Sequence, residues 1–327
     1  MTVLVTGGAG YIGSHTVRAL RDAGREVVVL DSLELGHVEA LLGAPFVRGD
    51  IHDGELVRQV CGDHGVTAIV HFAAYKSVGE SMQSPGKYWQ NNVAGTAALA
   101  EAAMRAGVRD IVFSSSCSVY GTPAQVPVVE SAPIAPESVY ADSKAMTERI
   151  LDWYGVTKGL RSASLRYFNA AGASHDAAIG EDWTFSINLV PLVMKAVLGA
   201  GPPVKVFGND YPTADGTCIR DYIHVDDLAE AHIRALDRLS AGLPDGATSI
   251  AVNLGTGVGS SVLDVIKATE SVAGRPVPHE IVGRRAGDPI ATYADPTVAE
   301  SVLGWRAKQG LAEIVESAYR WHSKTAP

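Results

Sequence analysis

The sequence predicts an α/β protein: a Rossmann-type doubly wound parallel sheet carrying a smaller C-terminal α/β substrate lobe. Three observations predict it. Short β-branched runs alternate with helix-period segments through the first half. A glycine-rich turn joins the first run to the first helix. After about Asn169 the alternation breaks into Gly/Pro-rich loops, Gly199–Pro203 and Asn209–Gly216 among them.

Taken in order, Val3–Thr6, Glu26–Leu30, Ala68–Phe72, Asp110–Ser114 and Ser164–Tyr167 read as buried strands. Helices are expected over Tyr11–Ala23, Asn92–Ala106 and Tyr140–Tyr154. Right-handed crossovers bring all the strand C-termini to one edge, where ligands bind. Ile250–Leu254 reads as a strand returning to the main sheet. The expected division is residues 1–169 for the sheet domain, with a return segment around 221–255, and 170–327 mainly for the second lobe.

Composition narrows the function. The 327 residues are 46% hydrophobic and 19% charged, as in a globular chain with a large core. A net charge of −9 argues against nucleic acid or anionic membranes as partners. The opening Met1–Gly7 lacks a basic n-region, and no run is long and apolar enough to span a bilayer. Cys61, Cys117 and Cys218 are odd in number and lack metal-ligand spacing, so no metal and a reducing, cytoplasmic setting are expected.

Val3–Thr6 runs into Gly7-Gly8-Ala9-Gly10-Tyr11-Ile12-Gly13, with the glycines where strand meets helix. Gly7 and Gly10 let the backbone turn toward a pyrophosphate, which the helix N-terminus at Tyr11 and Ile12 would hold, and Gly13 permits close helix–strand packing. The second strand ends at Asp31, placed to accept hydrogen bonds from an adenosine ribose. A carboxylate there repels a 2′-phosphate, and neither Ser32 nor Leu33 supplies a cation, so NAD is the expected cofactor.

Tyr140 and Lys144 stand four apart at the start of a helix, so phenol and ammonium share one face. A fixed cation nearby favours phenolate and is expected to lower the tyrosine pKa toward that of a general base. The same lysine is placed to bond a nicotinamide ribose. The run Val112–Gly121 packs four serines and Cys117 behind a strand, but no histidine or carboxylate in it could activate a nucleophile.

With these features the chain resembles the UDP-glucose (UDP-galactose) 4-epimerases of the extended short-chain dehydrogenase/reductase superfamily. The resemblance covers nearly the whole chain: Gly7–His15, Val47–Ile51, His71–Ser81, Asn91–Val93, Leu165–Asn169, Phe207–Thr213, Ile219–Val225 and Val252–Gly255. It implies tightly held NAD reused at each turnover. Catalysis would fall to Tyr140 as base, Lys144 as its partner and Ser116 as hydrogen-bond partner of the sugar hydroxyl. Asp31, Asp50 and Ile51 would surround the adenosine. Phe72, Ala73, Lys76, Asn91 and Ser114 would form the inner wall, with Phe168 beside the nicotinamide. A UDP-sugar would be gripped by Lys76, Asn169, Asn188, Leu189, Phe207, Arg220, Tyr222, Arg285 and Asp288; two arginines independently suit a diphosphate.

The implied reaction removes the O4 proton through Tyr140 while the C4 hydride passes to NAD, turns the 4-keto sugar over, and returns hydride to its other face. A 4,6-dehydratase would need carboxyl acid–base groups where this chain has Cys117 and Ser118. A UDP-glucuronate epimerase or decarboxylase fits the second half less well. A non-catalytic NAD-binding module would be expected to lose one of Ser116, Tyr140 or Lys144. Thr292 aligns with the wall on the C2 side of the sugar, where a small residue implies that UDP-GlcNAc and UDP-GalNAc are admitted unless Tyr293 points inward instead. A homodimer through Asn92–Ala106 and the Tyr140 helix is the further implication of the resemblance.

Overall fold

The computed structural model describes residues 1–184, 186–285 and 287–325; residues 185, 286, 326 and 327, all within the expected second lobe, lie outside the described residues. The strands in chain order are β1 (Thr2–Thr6), β2 (Glu26–Asp31), β3 (Phe46–Arg48), β4 (Val66–His71), β5 (Asp110–Ser114) and β6 (Arg161–Tyr167). There follow β7 (Asn169–Ala171), β8 (Val204–Phe207), β9 (Ile219–His224), β10 (Ser249–Leu254), β11 (Gly259–Ser261), β12 (His279–Val282) and β13 (Ala291–Thr292).

Seven of them form one sheet in the order β10-β6-β5-β4-β1-β2-β3, and every pairing is parallel. The chain winds outward from β1 to β3 on one side, then crosses to β4 and builds the other way. The β1/β4 boundary is therefore the switch point at which a doubly wound sheet opens a ligand crevice.

The continuous apolar strands reflect helices on both faces. In β1, Val3 and Val5 pack with Val17 and Leu20 of the helix Tyr11–Asp22 and with Leu228 and Leu236 of the helix Val225–Ala241. Leu4 faces the other way, toward Val57, Leu99 and Leu151. β9, β11, β13 and β7 form a second sheet around β9, and β8 pairs β12 in parallel.

The return strand expected at Ile250–Leu254 is present as β10, paired with β6. Three details differ from the sequence reading. β3 was not foreseen: its three residues are only partly buried at the sheet edge and carry no long apolar run. The helix expected over Asn92–Ala106 begins as a wider π-type turn, Trp89–Ala94, and becomes α-helical at Gly95–Arg105. The Tyr140 helix is longer, Val139–Lys158, capped by the Ser138 hydroxyl at its start and closed by Gly159 in the left-handed conformation.

Candidate active site

The glycine turn forms a cradle at the switch point. Gly7 has φ +71, and a Cβ there would lie 2.6 Å from the Ala73 amide nitrogen, so the loops after β1 and β4 touch backbone to backbone. At Gly13 a Cβ would lie 2.3 Å from the Gly7 carbonyl oxygen, which is why the helix can sit directly on the turn. That helix is N-capped by Gly10 with no side-chain cap and no acid in its first turn, so its leading N–H groups are free to take an anion. Tyr11 points away from them and donates to the Gly172 carbonyl at 2.7 Å, while Ile12 packs into the core.

Asp31 is buried at the end of β2, where its carboxylate accepts from Ala9 N–H at 3.0 Å and Leu33 N–H at 2.8 Å. The acid is thus tied to the glycine turn it was expected to serve. Asp50 lies exposed at the next loop and bonds His52 at 2.6 Å, beside buried Ile51. The Phe72 ring lies tilted against His232, with ring centroids 4.7 Å apart. Asn91 donates to Asn92 Oδ1 at 3.0 Å, and Asn92 in turn holds the Tyr75 amide and carbonyl. Lys76 leaves this wall and reaches Glu181, 3.6 Å away.

Tyr140, Lys144 and Ser116 converge at the C-terminal end of β5. Lys144 Nζ donates to the Ser114 carbonyl at 2.7 Å and lies 6.0 Å from the Tyr140 ring centroid. Burial drives the lysine down to about 7, against the opposing field of Glu148. The same burial holds the Tyr140 phenol well above its ordinary value; Tyr167, Cys117 and Tyr88 add to this, and hydrogen bonding to Ser116 opposes it. This corrects the expectation of a lowered tyrosine pKa: burial outweighs the hydrogen bond to Ser116. Ser116 Oγ accepts from Ser118 N–H at 3.2 Å and Oγ–H at 2.9 Å. Burial pushes the Cys117 thiol up to about 12, so it is no nucleophile. Ser114 bonds the Tyr167 hydroxyl at 2.7 Å, and Phe168 is buried against Val119 and Ala145.

Two residues were missed in the sequence, Glu148 at this centre and Glu181 beside Lys76 and Asn188. Glu148 follows Lys144 by one more helical turn and, at the end of a buried ion pair, takes Arg166 Nη2 at 2.6 Å. The same carboxylate accepts from Ser115, and Arg166 also donates to Tyr120 Oη at 2.9 Å. One ion pair therefore joins the Tyr140 helix, the serine loop and the strand leading to Phe168. Its signal was available: Tyr140, Lys144 and Glu148 stand at i, i+4 and i+8. The other, Glu181, lies in an irregular loop and had no such signal.

Of the residues expected to grip UDP, Arg220 and Tyr222 lie on β9, Asn169 on the paired β7 and Asp288 against Arg220, whereas Lys76 and Asn188 meet at Glu181. Arg220 on β9 donates to the Pro289 carbonyl at 2.9 Å and faces Asp288 at 3.4 Å. The Arg285 guanidinium lies 4.2 Å over the Phe207 ring. Asn169 donates to the Asp221 carbonyl at 3.2 Å, and Tyr222, two residues past Arg220, is buried. Asn188 precedes the helix that begins at Leu189 and donates to Glu181 at 2.9 Å. Thr292 pairs with Arg220 across β13 and β9, so the two side chains share a face. Tyr293 turns the other way: a Cβ on Gly259 would meet its ring at 3.2 Å and Ile219 Cγ2 at 2.3 Å. Among the described residues no group of acidic, histidine or cysteine side chains is arranged to hold a metal ion.

Residues 3–255 match the model of the NAD dependent epimerase/dehydratase family. The chain is 45% identical over 325 residues to a UDP-glucose 4-epimerase of Halalkalibacterium halodurans, covering 99% of this chain and 96% of that one. It superposes, with a TM-score of 0.95 and 42% identity over 100% of its length and 99% of the other's, on the crystal structure of the Stenotrophomonas maltophila UDP-glucose 4-epimerase with bound NAD and formylated UDP-arabinopyranose. A UDP-Glc/GlcNAc 4-epimerase from Campylobacter jejuni is 37% identical, with a TM-score of 0.86 over 99% of both chains. A parallel sheet with a dinucleotide cradle at its switch point, and matches at this identity and coverage, lead to one conclusion: the chain belongs to the NAD-dependent epimerase/dehydratase family, with the UDP-glucose 4-epimerases.

Proposed function

We infer that the protein is an NAD-dependent UDP-hexose 4-epimerase that interconverts UDP-glucose and UDP-galactose. The observation that carries the reading is the meeting of Tyr140, Lys144 and Ser116 beside the glycine cradle. The cradle fits NAD: Gly7 and Gly13 leave room that a Cβ would fill, the helix N-terminus lacks a cap, and Asp31 is fixed against the turn. Gly7, Gly10, Tyr11, Ile12, Gly13, Asp31, Asp50, Ile51, Phe72, Ala73, Lys76, Asn91, Ser114 and Phe168 would hold it. When bound, NAD supplies a reversible hydride acceptor for the sugar C4.

The chain's own residues do the rest. Tyr140 takes the O4 proton and gives it back. Ser116 hydrogen-bonds the same oxygen and orients it, and Lys144 places a positive charge beside the developing phenolate. Asn169, Asn188, Leu189, Phe207, Arg220, Tyr222, Arg285 and Asp288 anchor the UDP moiety, which leaves the sugar free to turn between two presentations. Nothing at Cys117 and Ser118 carries a carboxyl group that could eliminate water. The test is to incubate the purified protein with UDP-glucose without added cofactor and follow products by NMR. UDP-galactose is expected; a dehydrated 6-deoxy-4-keto sugar, or no product, overturns the reading.

The C2 side of the sugar is a finer point. Small Thr292 shares the face of Arg220 while Tyr293 turns away, which supports acceptance of the N-acetylated sugars as well. Thr292→Tyr should abolish turnover of UDP-GlcNAc while sparing UDP-glucose; equal turnover of both by the variant would refute the gate.

The proposed partner is a second copy. Met146, Trp153 and Val156 lie exposed at helical spacing on Val139–Lys158, beside the alanine-rich helix Gly95–Arg105. These are side chains of the kind that a homodimer through the two helices would cover. Trp153→Glu should halve the mass measured by light scattering. Among the described residues no helix is long and apolar enough to cross a membrane, and the three cysteines are free; a cytoplasmic setting agrees with both.

A further inference from the structure

Glu181 belongs to neither expected residue set, yet it touches both. Its side chain is 5% exposed. One oxygen, Oε1, accepts from Asn188 Nδ2 at 2.9 Å and Ser186 Oγ at 2.9 Å, and Lys76 Nζ lies 3.6 Å from it. The other, Oε2, is buried and has no hydrogen-bond partner among the described residues. A buried carboxylate using one of its two oxygens is costly unless a bound molecule completes it.

The position is held firmly. The Trp321 indole donates to the Glu181 carbonyl at 3.0 Å, and a Cβ on neighbouring Gly180 would lie 2.6 Å from that ring. Trp183, two residues on, stacks on His322 of the same C-terminal helix with ring centroids 4.5 Å apart. The carboxylate also raises the Tyr11 phenol, second only to burial, so its field reaches the first residue of the helix at the dinucleotide cradle.

We propose that Glu181 is a positioning residue that couples the two ligand sites, holding Lys76 of the dinucleotide wall and Asn188 of the nucleotide-sugar site on one carboxylate oxygen and offering the other to a hydroxyl or N–H donor of a bound ligand. The proposal rests on the functional reading above. When UDP occupies Asn188, the carboxylate and with it Lys76 settle against the dinucleotide. When the site is empty, Lys76 keeps only its long contact to Glu181. Each ligand thereby tightens the other, because coupling between sites is reciprocal.

The test uses the holoenzyme. Bound NAD is chased with labelled NAD, with and without saturating UDP, in the unaltered protein, Glu181→Gln and Lys76→Met, and UDP affinity is measured by calorimetry on each. In the unaltered protein UDP should slow NAD release about tenfold. In Glu181→Gln, which keeps a carbonyl for Asn188, the slowing should fall below about twofold, UDP affinity of the NAD-bound protein should weaken by the same lost factor of about fivefold, and the thermal midpoint should change little. Lys76→Met should lose the same coupling, and combining the two changes should add nothing. An unchanged slowing in Glu181→Gln, or no slowing in the unaltered protein, overturns the coupling. Absence of UDP binding to the unaltered protein is a different failure: it overturns the nucleotide-sugar site itself.

Discussion

The proposed catalytic centre and the proposed nucleotide-sugar surface are built in opposite ways. The first is made of backbone and buried polar groups: a glycine turn too tight for any Cβ, a helix terminus, and a lysine anchored on a strand-end carbonyl. The second is made of side chains on loops and short strands, with Arg220 against Asp288 and Arg285 over Phe207. The side that performs chemistry is fixed before any ligand arrives, as electrostatic preorganisation requires. The side that performs recognition is held by long side chains that can adjust to what they grip. Substitutions should therefore separate rate from affinity along this line.

The largest effect is expected at Tyr140. Tyr140→Phe removes the proton carrier proposed for the sugar O4 and should cut kcat by about 10²–10⁴-fold, while calorimetry shows unchanged UDP affinity. Equal losses in rate and UDP affinity would break the contrast between the two regions. Next comes Gly7→Ala, which forces a side chain into φ +71 and toward the Ala73 nitrogen 2.6 Å away. The strain should weaken NAD binding by roughly 10–100-fold, read as loss of co-purifying dinucleotide. Arg220→Lys keeps the charge but loses the planar fork, and should raise KM for UDP-glucose about tenfold with kcat nearly unchanged.

The smallest effect concerns what the buried centre costs the fold. Lys144 is pushed down to about 7 in the native state, well below its unfolded value. Between those two values the unfolded chain binds a proton that the native chain does not, so stability rises with pH through this window. Below pH 7 both states carry the proton and the full burial penalty applies. The melting temperature of dinucleotide-free protein should thus climb, relative to Lys144→Met, by roughly 2–4 °C from pH 7 to pH 9.5. A flat difference across that range would mean that the ammonium is not desolvated.

The same division governs what the sequence made legible. Strands such as Asp110–Ser114, the glycine turn and Asp31 announce themselves through short-range pattern, because backbone geometry at those points restricts which residues fit. β3 escaped because three half-buried residues leave no period to read. The π-type turn at Trp89–Ala94 escaped because its cause is distant: the Asn92 carbonyl accepts from Thr147, and its side chain reaches Tyr75 and Ser143, so contacts from the Tyr140 helix and the loop after β4 set the local backbone. The tyrosine's proton affinity was misjudged for a related reason. Spacing reveals a cation four residues away, but only the fold reveals how completely both groups are buried. Glu181 lay beyond reach altogether, since its meaning comes from Lys76 and Asn188, which meet only in space.

The pairing of β10 with β6 has a consequence for how the molecule is made. Synthesis delivers β6 when residue 167 is complete, but its outer neighbour is finished only at residue 254. The helix Val225–Ala241, which covers Val3 and Val5, is equally late. Through that interval a nascent chain presents an open strand edge and an uncovered apolar face, the two features that most invite association with other chains. The enzyme's first half already holds the cradle, Tyr140 and Lys144, yet it cannot bury its own sheet. A shortened chain ending before β10 should be recovered as aggregate, and chaperone demand should peak while ribosomes traverse this stretch.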